Sequence, residues 1–219
     1  MIITDFVRRG KSELYKTYLD EQFVCLLQAE IIVKHKLKKN MQISEQDFFV
    51  IREESEKITC KNDALSYVSK CLKTKKQVKD NLKQKGYLPN SIDYAIQFLE
   101  SYGYLNDKYY AENFVKTKQN QKGKLYLKNA LSQKGISSSV IEEILNDIQT
   151  DDNAILDLAK KYLKNKIIDQ KTKEKLYRHL LSKGFEYSEV SKVVNIVLKG
   201  KNDGWDWYFR NQAYEKICK

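Results

Sequence analysis

The sequence predicts a mainly α protein: a tandem array of three three-helix repeats behind a small N-terminal α/β module. Three observations carry that prediction. Leu82-x-x-Lys85-Gly86, Leu131-x-x-Lys134-Gly135 and Leu180-x-x-Lys183-Gly184 recur at an interval of 49 residues. After each glycine comes an apolar set spaced i, i+3, i+4, i+7: Ile92, Ala95, Ile96 and Leu99; Ile141, Ile144, Leu145 and Ile148; Val190, Val193, Val194 and Val197. That spacing is the stripe an amphipathic helix buries. Before the first repeat stand short runs rich in aromatic and β-branched residues, which suit strands. A long period with helical spacing inside it marks stacked helical units.

The elements follow in order. In the module at 1–61, Glu13–Leu19 and Gln22–Leu27 read as a strand pair turning at Asp20-Glu21. Ala29–Leu37 reads as a helix, and Ser44-Glu-Gln-Asp47 as the capped start of another running towards Thr59. The repeats are set at 62–106, 107–150 and 151–199. Their first helices carry Ala64-x-x-Tyr67-Val68, Ala111-x-x-Phe114-Val115 and Ala159-x-x-Tyr162-Leu163. Asp107 and Asp151-Asp152 are plausible caps for the second and third. The second helices carry Val78, Leu127 or Leu176 four residues before each repeated leucine, and end at Lys-Gly. Lysine in a last turn suits the helix dipole, and glycine just beyond can close the helix in the left-handed conformation. The third helices open at Asn90 or Ser91, at Ser137 to Ser139, and at Ser188. The lone proline, Pro89, falls between helices. The segment 200–219 holds Trp205, Trp207, Tyr208, Phe209 and Tyr214. It is expected to cover the open end of the last repeat, since terminal repeats need capping. A stacking surface for a base or a partner is the sharper alternative.

Composition narrows the function classes. The four cysteines, Cys25, Cys60, Cys71 and Cys218, include no close-spaced pair, and the only histidines are His35 and His179. That pattern argues against a zinc site or a disulfide scaffold and favours a reducing cytoplasm. No apolar run is long enough to span a membrane, and the opening residues lack the order of a signal peptide. There is no phosphate-binding glycine loop, no dinucleotide fingerprint and no nucleophile–His–acid set. Glu142-Glu143 and Asp151-Asp152 sit where caps and solvated faces are expected. The chain reads as a binding protein, with no enzymatic activity, cofactor or metal expected.

The net charge of +11 is unevenly spread. Residues 61–134 hold 15 Lys against 6 acids, whereas 135–198 hold 10 basic and 10 acidic side chains. Helical projection sets Lys70 and Lys73 off the apolar face of their helix. It makes Lys76, Lys79 and Lys83 a solvent stripe. Lys116, Lys118, Lys122, Lys124 and Lys128 flank the turn at Asn120–Gly123. On neighbouring repeats these lysines form a candidate basic patch: Lys70, Lys73, Lys76, Lys116, Lys118, Lys122, Lys124 and Lys128. Such a patch attracts polyanions, whether nucleic-acid phosphates or an acidic protein surface. A lysine-rich face is also often merely solvated. With 35 Lys against 5 Arg, sequence-specific base reading is disfavoured, because bidentate contacts to base edges favour arginine.

Asp63–Lys70 followed by Thr74–Gly86 resembles the first repeat of the bacterial RecX regulators. Tyr102-Gly-Tyr-Leu-Asn-Asp107 with Ala111-x-x-Phe-Val115, Lys122-Gly-Lys and Leu131–Ile136 resembles the second. The Leu-Ser-Lys-Gly-Phe185 unit resembles the third. The likeness spans about residues 13–198. It implies an array of three-helix repeats that binds the RecA recombinase filament. Such a protein restrains recombination, ATPase and coprotease activity, and so tempers DNA repair and the SOS response. Where family members commonly carry arginine in the first repeat, this chain has Lys70 and Lys73, and the small serine is Thr74. The segment after 199 has no counterpart. The implied partner is the RecA nucleoprotein filament, with single- or double-stranded DNA bound without sequence preference, and the expected state is a monomer. An architectural DNA-binding protein, using the basic patch alone, is the alternative.

Overall fold

The structure is a computed structural model that describes residues 1–148 and 152–198. The aromatic segment 200–219 lies outside the described residues. The chain divides after Asp107 into two units.

The first unit begins with three antiparallel strands in the order β1-β2-β3: β1 (Ile3–Arg8), β2 (Leu14–Leu19) and β3 (Gln22–Gln28). The expected pair is β2 and β3. Their two-residue turn puts Asp20 at φ 47° and Glu21 at φ 65°, the twist a tight hairpin needs. The Ile2 N–H donates to Asp20 Oδ1 at 2.9 Å, and the Glu21 N–H to Thr4 Oγ1 at 3.1 Å. These bonds bring in β1, the strand sequence reading omits. Its side chains are mostly exposed or half-buried, so it carries little hydrophobic signal of its own.

Helix α1 (Ala29–Lys34) follows, then α2 (Glu45–Val68). Ser44 caps α2, accepting the Asp47 N–H at 3.0 Å. This helix does not stop near Thr59. It runs through position 61, where the sequence suggests a boundary between module and first repeat. No glycine or proline interrupts it, so nothing local breaks it. Its first half packs Phe48 and Ile51 against Ile3, Leu19 and Leu27 of the sheet and Ile31 of α1. Its second half packs Cys60 and Ala64 on α3 (Lys75–Gln84) and α4 (Pro89–Ser101). Ser55 lies between the halves, fully buried, and accepts the Gln28 N–H at 2.8 Å.

The second unit holds α5 (Asp107–Lys118, whose first residue belongs to the first unit), α6 (Lys124–Gln133), α7 (Ser138–Asn146), α8 (Asp152–Leu163) and α9 (Gln170–Ser182). A further helix, α10, occupies 187–198. Helices α5–α7 enclose one core around Leu127, Leu131 and Ile141. Helices α8–α10 enclose another around Leu176, Leu180 and Val194. Every residue of the three apolar stripes is buried except the half-buried Ile148.

Gly86, Gly135 and Gly184 have φ of 84°, 85° and 87° and close α3, α6 and α9, as the repeated motif predicts. The third helices differ in their caps. Helix α4 starts at Pro89, not at Asn90 or Ser91, with Leu88 as N-cap. Proline suits that first position because its missing N–H has no helical partner there. The Leu88 N–H instead donates to Glu56 Oε1 at 2.8 Å. Helix α7 starts after Ser137, as expected. Helix α10 includes 187, ahead of Ser188, and the Glu186 N–H donates to Glu189 Oε2 at 2.8 Å, a carboxylate reaching back over the first turn.

Candidate functional site

The eight candidate lysines fall three in the first unit and five in the second. Lys70 is exposed beyond the C-cap Ser69 of α2. Lys73 is half-buried, its Nζ 4.8 Å from the centre of the Tyr67 ring. Lys76 is exposed in the first turn of α3. Neighbouring charges temper this group. Lys75 pairs with Glu100 at 2.8 Å, Lys79 with Asp93 at 3.5 Å and Lys85 with Asp63 at 2.7 Å.

In the second unit, Lys116 and Lys118 are exposed in the last turn of α5. The helix dipole alone favours cations there. Lys124 is different. It is the first residue of α6, and no acid lies in that first turn. Helix α3 likewise begins with Lys75 and Lys76 and no acid. A cation at a helix N-terminus opposes the dipole, at about 0.3–1 kcal/mol for an exposed site. For Lys75 that cost is offset by its 2.8 Å pair with Glu100. Lys128 is exposed one turn further along α6, and Lys122 is half-buried just before it.

The start of α6 is built by α9. Its N-cap is Gly123, which has no capping side chain. Instead the Gly123 N–H donates to the Lys183 carbonyl at 3.0 Å and the Leu125 N–H to the Gly184 carbonyl at 3.2 Å. Unpaired acceptors at the end of α9 thus satisfy unpaired donors at the start of α6, and the two dipoles meet head to tail. A Cβ on Gly123 would overlap the Gly184 carbonyl, and one on Gly184 would overlap the Tyr126 backbone. Sequence reading treats Gly184 as a helix closer only. The structure gives it this second task, through a contact between residues 61 positions apart.

That junction sets Lys166 and Lys183, from the charge-balanced stretch, near Lys122 from the basic one. Lys122 Nζ lies 4.1 Å from the Tyr126 ring centre, and Lys166 Nζ 3.3 Å from that of Tyr162. Tyr162 in turn stacks on His179 at 4.6 Å. Burial pushes the His179 pKa below its ordinary value, and the positive charges of Lys183, Lys166 and Lys122 push it further. No local signal in the sequence links Lys122 to Lys166 and Lys183. In the first unit, Phe98, Tyr102 and Tyr104 form an aromatic row with centre distances of 4.5 and 6.4 Å, and Lys61 lies over Phe98.

Among the described residues, no three His, Cys, Asp or Glu side chains stand close enough to hold a metal ion. No described helix is long and apolar enough to cross a membrane. Cys25 is half-buried, Cys60 buried and Cys71 exposed, all as free thiols. Burial pushes Cys25 up to about 11 and Cys60 to about 12, which leaves both as inert thiols at neutral pH.

Comparison with known proteins bears on the whole array. Family models for the first, second and third three-helix domains of RecX match residues 60–99, 106–145 and 149–194. The regulatory protein RecX of Clostridium beijerinckii is 36% identical over 198 residues, covering 88% of this chain and 93% of its own. That of Clostridium perfringens strain SM101 is 38% identical over 194 residues, covering 86% and 92%. A crystal structure of a regulatory protein RecX superposes with a TM-score of 0.66 over 89% of this chain and 98% of its own. At 20% identity that likeness speaks to the fold alone.

Proposed function

The chain belongs to the RecX family of regulatory proteins, and on that premise we propose that it binds the RecA recombinase filament and restrains it. The restrained activities are recombination, ATP hydrolysis and coprotease function, so the protein tempers DNA repair and the SOS response from the cytoplasm. It acts by binding and not by catalysis. The observation that carries this reading is the match of all three RecX repeats, in order, along one chain. The excess of 15 Lys over 6 acids in residues 61–134 supports it, since positive charge attracts a polyanionic partner.

The eight lysines Lys70, Lys73, Lys76, Lys116, Lys118, Lys122, Lys124 and Lys128 supply the electrostatic attraction to the filament. The test is inhibition of RecA-driven strand exchange across a salt series. Glutamine at these positions is expected to weaken inhibition and flatten its salt dependence, as fewer ions are exchanged. The charge control is glutamine at Lys160, Lys161, Lys164 and Lys171, which are exposed in the third repeat. Equal losses from both sets would remove any role for the charge asymmetry. The architectural reading makes a different forecast: binding to bare DNA matching binding to the filament, with the same salt dependence. Filament binding that persists at moderate salt, where bare DNA is released, favours the recombinase.

A further inference from the structure

We propose that the junction of α6 and α9 is a nucleic-acid strand site, in which Lys122, Lys166 and Lys183 hold backbone phosphates and Tyr126 offers a stacking face for a base. The proposal goes beyond regulation of the recombinase. It assigns a ligand chemistry to residues of the third repeat, and it holds with no recombinase present.

The geometry is continuous. Lys183 is tied to Gly123 by the 3.0 Å backbone bond, which brings it beside Lys122. Across α9 from there, His179 stacks on Tyr162, which carries Lys166 on its ring. None of the three lysines is paired with a carboxylate among the described residues. The charges felt by His179 are all positive. Like charges so gathered repel one another, and a polyanion relieves that repulsion. Tyr126 is 37% exposed. An aromatic face beside a lysine is the pairing that binds single strands without sequence preference, by stacking and phosphate contact together. Lysine, unlike arginine, gives point-charge contacts suited to phosphate and poor at reading bases.

His179 supplies a signature that a merely structural cluster lacks. The groups facing it are Lys183 on its own helix, Tyr162 on α8, Lys166 beyond α8, and Lys122 before α6. A phosphodiester among them offsets the lysine charges and makes the imidazolium easier to form. Linkage then requires the strand to bind more tightly as pH falls through the titration range of the free histidine.

The experiment is fluorescence anisotropy of the full chain with a labelled oligothymidylate of about 16 nucleotides, enough to fill one single-strand site. Thymine carries no group that titrates near neutrality. Replacing Lys122, Lys166 and Lys183 by glutamine is expected to weaken binding and lower the slope of log affinity against log salt by about 2. Arginine at the same three positions restores binding. Tyr126→Ala is expected to weaken binding about five- to 150-fold, the range for loss of one base stack. His179→Gln removes the tightening at acid pH. Glutamine at Lys160, Lys161 and Lys164 leaves all of this unchanged. Lys166→Glu alone, at an exposed position, covers the case in which the triple variant loses its helical circular dichroism. Binding equal to wild type in both the triple variant and Lys166→Glu overturns the proposal. So does loss of filament binding with strand binding intact, which would make the cluster a protein contact. Normal strand binding with no effect on RecA strand exchange would sink the recombinase reading and leave this site standing.

Discussion

Gly86, Gly123 and Gly184 lack a side chain for two separable reasons. Gly86 has φ 84° and open space around its Cβ position, so Gly86→Ala carries only the left-handed penalty, about 1–2 kcal/mol. Gly123 has an ordinary φ of −77°, yet a Cβ there would overlap the Gly184 carbonyl. Its alanine variant pays only for pushing α6 off α9. Gly184 carries both terms. Denaturant titration of the three alanine variants is expected to place Gly184→Ala as the most destabilised. A loss at Gly184 no greater than at Gly86 would show that the α6–α9 backbone contact contributes nothing. His179 gives a second forecast at this scale. Its folded pKa lies below the unfolded value near 6.5, so the unfolded chain takes up the proton first on acidification. The stability linked to this group is complete above about pH 6.5 and falls as pH drops towards the folded value. His179→Gln should flatten the melting temperature against pH in that window.

Among the elements, the middle helices show how cap and core divide the work. Thr74 is fully buried and forms a reciprocal capping box with Gln77 at the start of α3. Thr74→Ala is expected to cost about 0.5–2 kcal/mol. Leu131 in α6 is also fully buried, and Leu131→Ala should cost about 2–5 kcal/mol, depending on how far the site collapses. Urea titration should rank the leucine change as the larger. The reverse order would mean that the α6 face is misassigned. Helix α6 contrasts with α3 because α9 satisfies its first turn and no side chain does.

At the scale of the whole molecule, α2 joins what the sequence divides. One unbroken helix contributes to the core under the sheet and to the core of the first repeat. Unfolding either end exposes apolar residues of the other. A fragment ending at Asp107 is therefore expected to unfold in a single transition, coincident by far- and near-ultraviolet circular dichroism. Two separate transitions would show that α2 transmits no stability between the cores. In an intact array, Leu27→Ala in the sheet should lower hydrogen-exchange protection around Cys60 as well.

By itself the sequence determined the class of the fold, the identity of the three stripes and the closing glycines. Those features come from local rules: the 3.6-residue period, the demand of a helix end for a left-handed residue, and the pairing of short β-rich runs. It also carried the family resemblance, since three weak motifs at fixed spacing are together specific. Tertiary structure alone decided the strand β1, which pairs along β2 and buries only Ile3 fully. It decided the continuity of α2, because a repeat boundary in the sequence need not be a break in the backbone. It also brought together charges of the second unit that lie far apart in the sequence. Counting charges along the chain assigned the excess to 61–134. Pairing the end of α9 with the start of α6 sets Lys166 and Lys183 beside Lys122. Electrostatic energy depends on distance in space, and only the packing of distant helices fixes that distance.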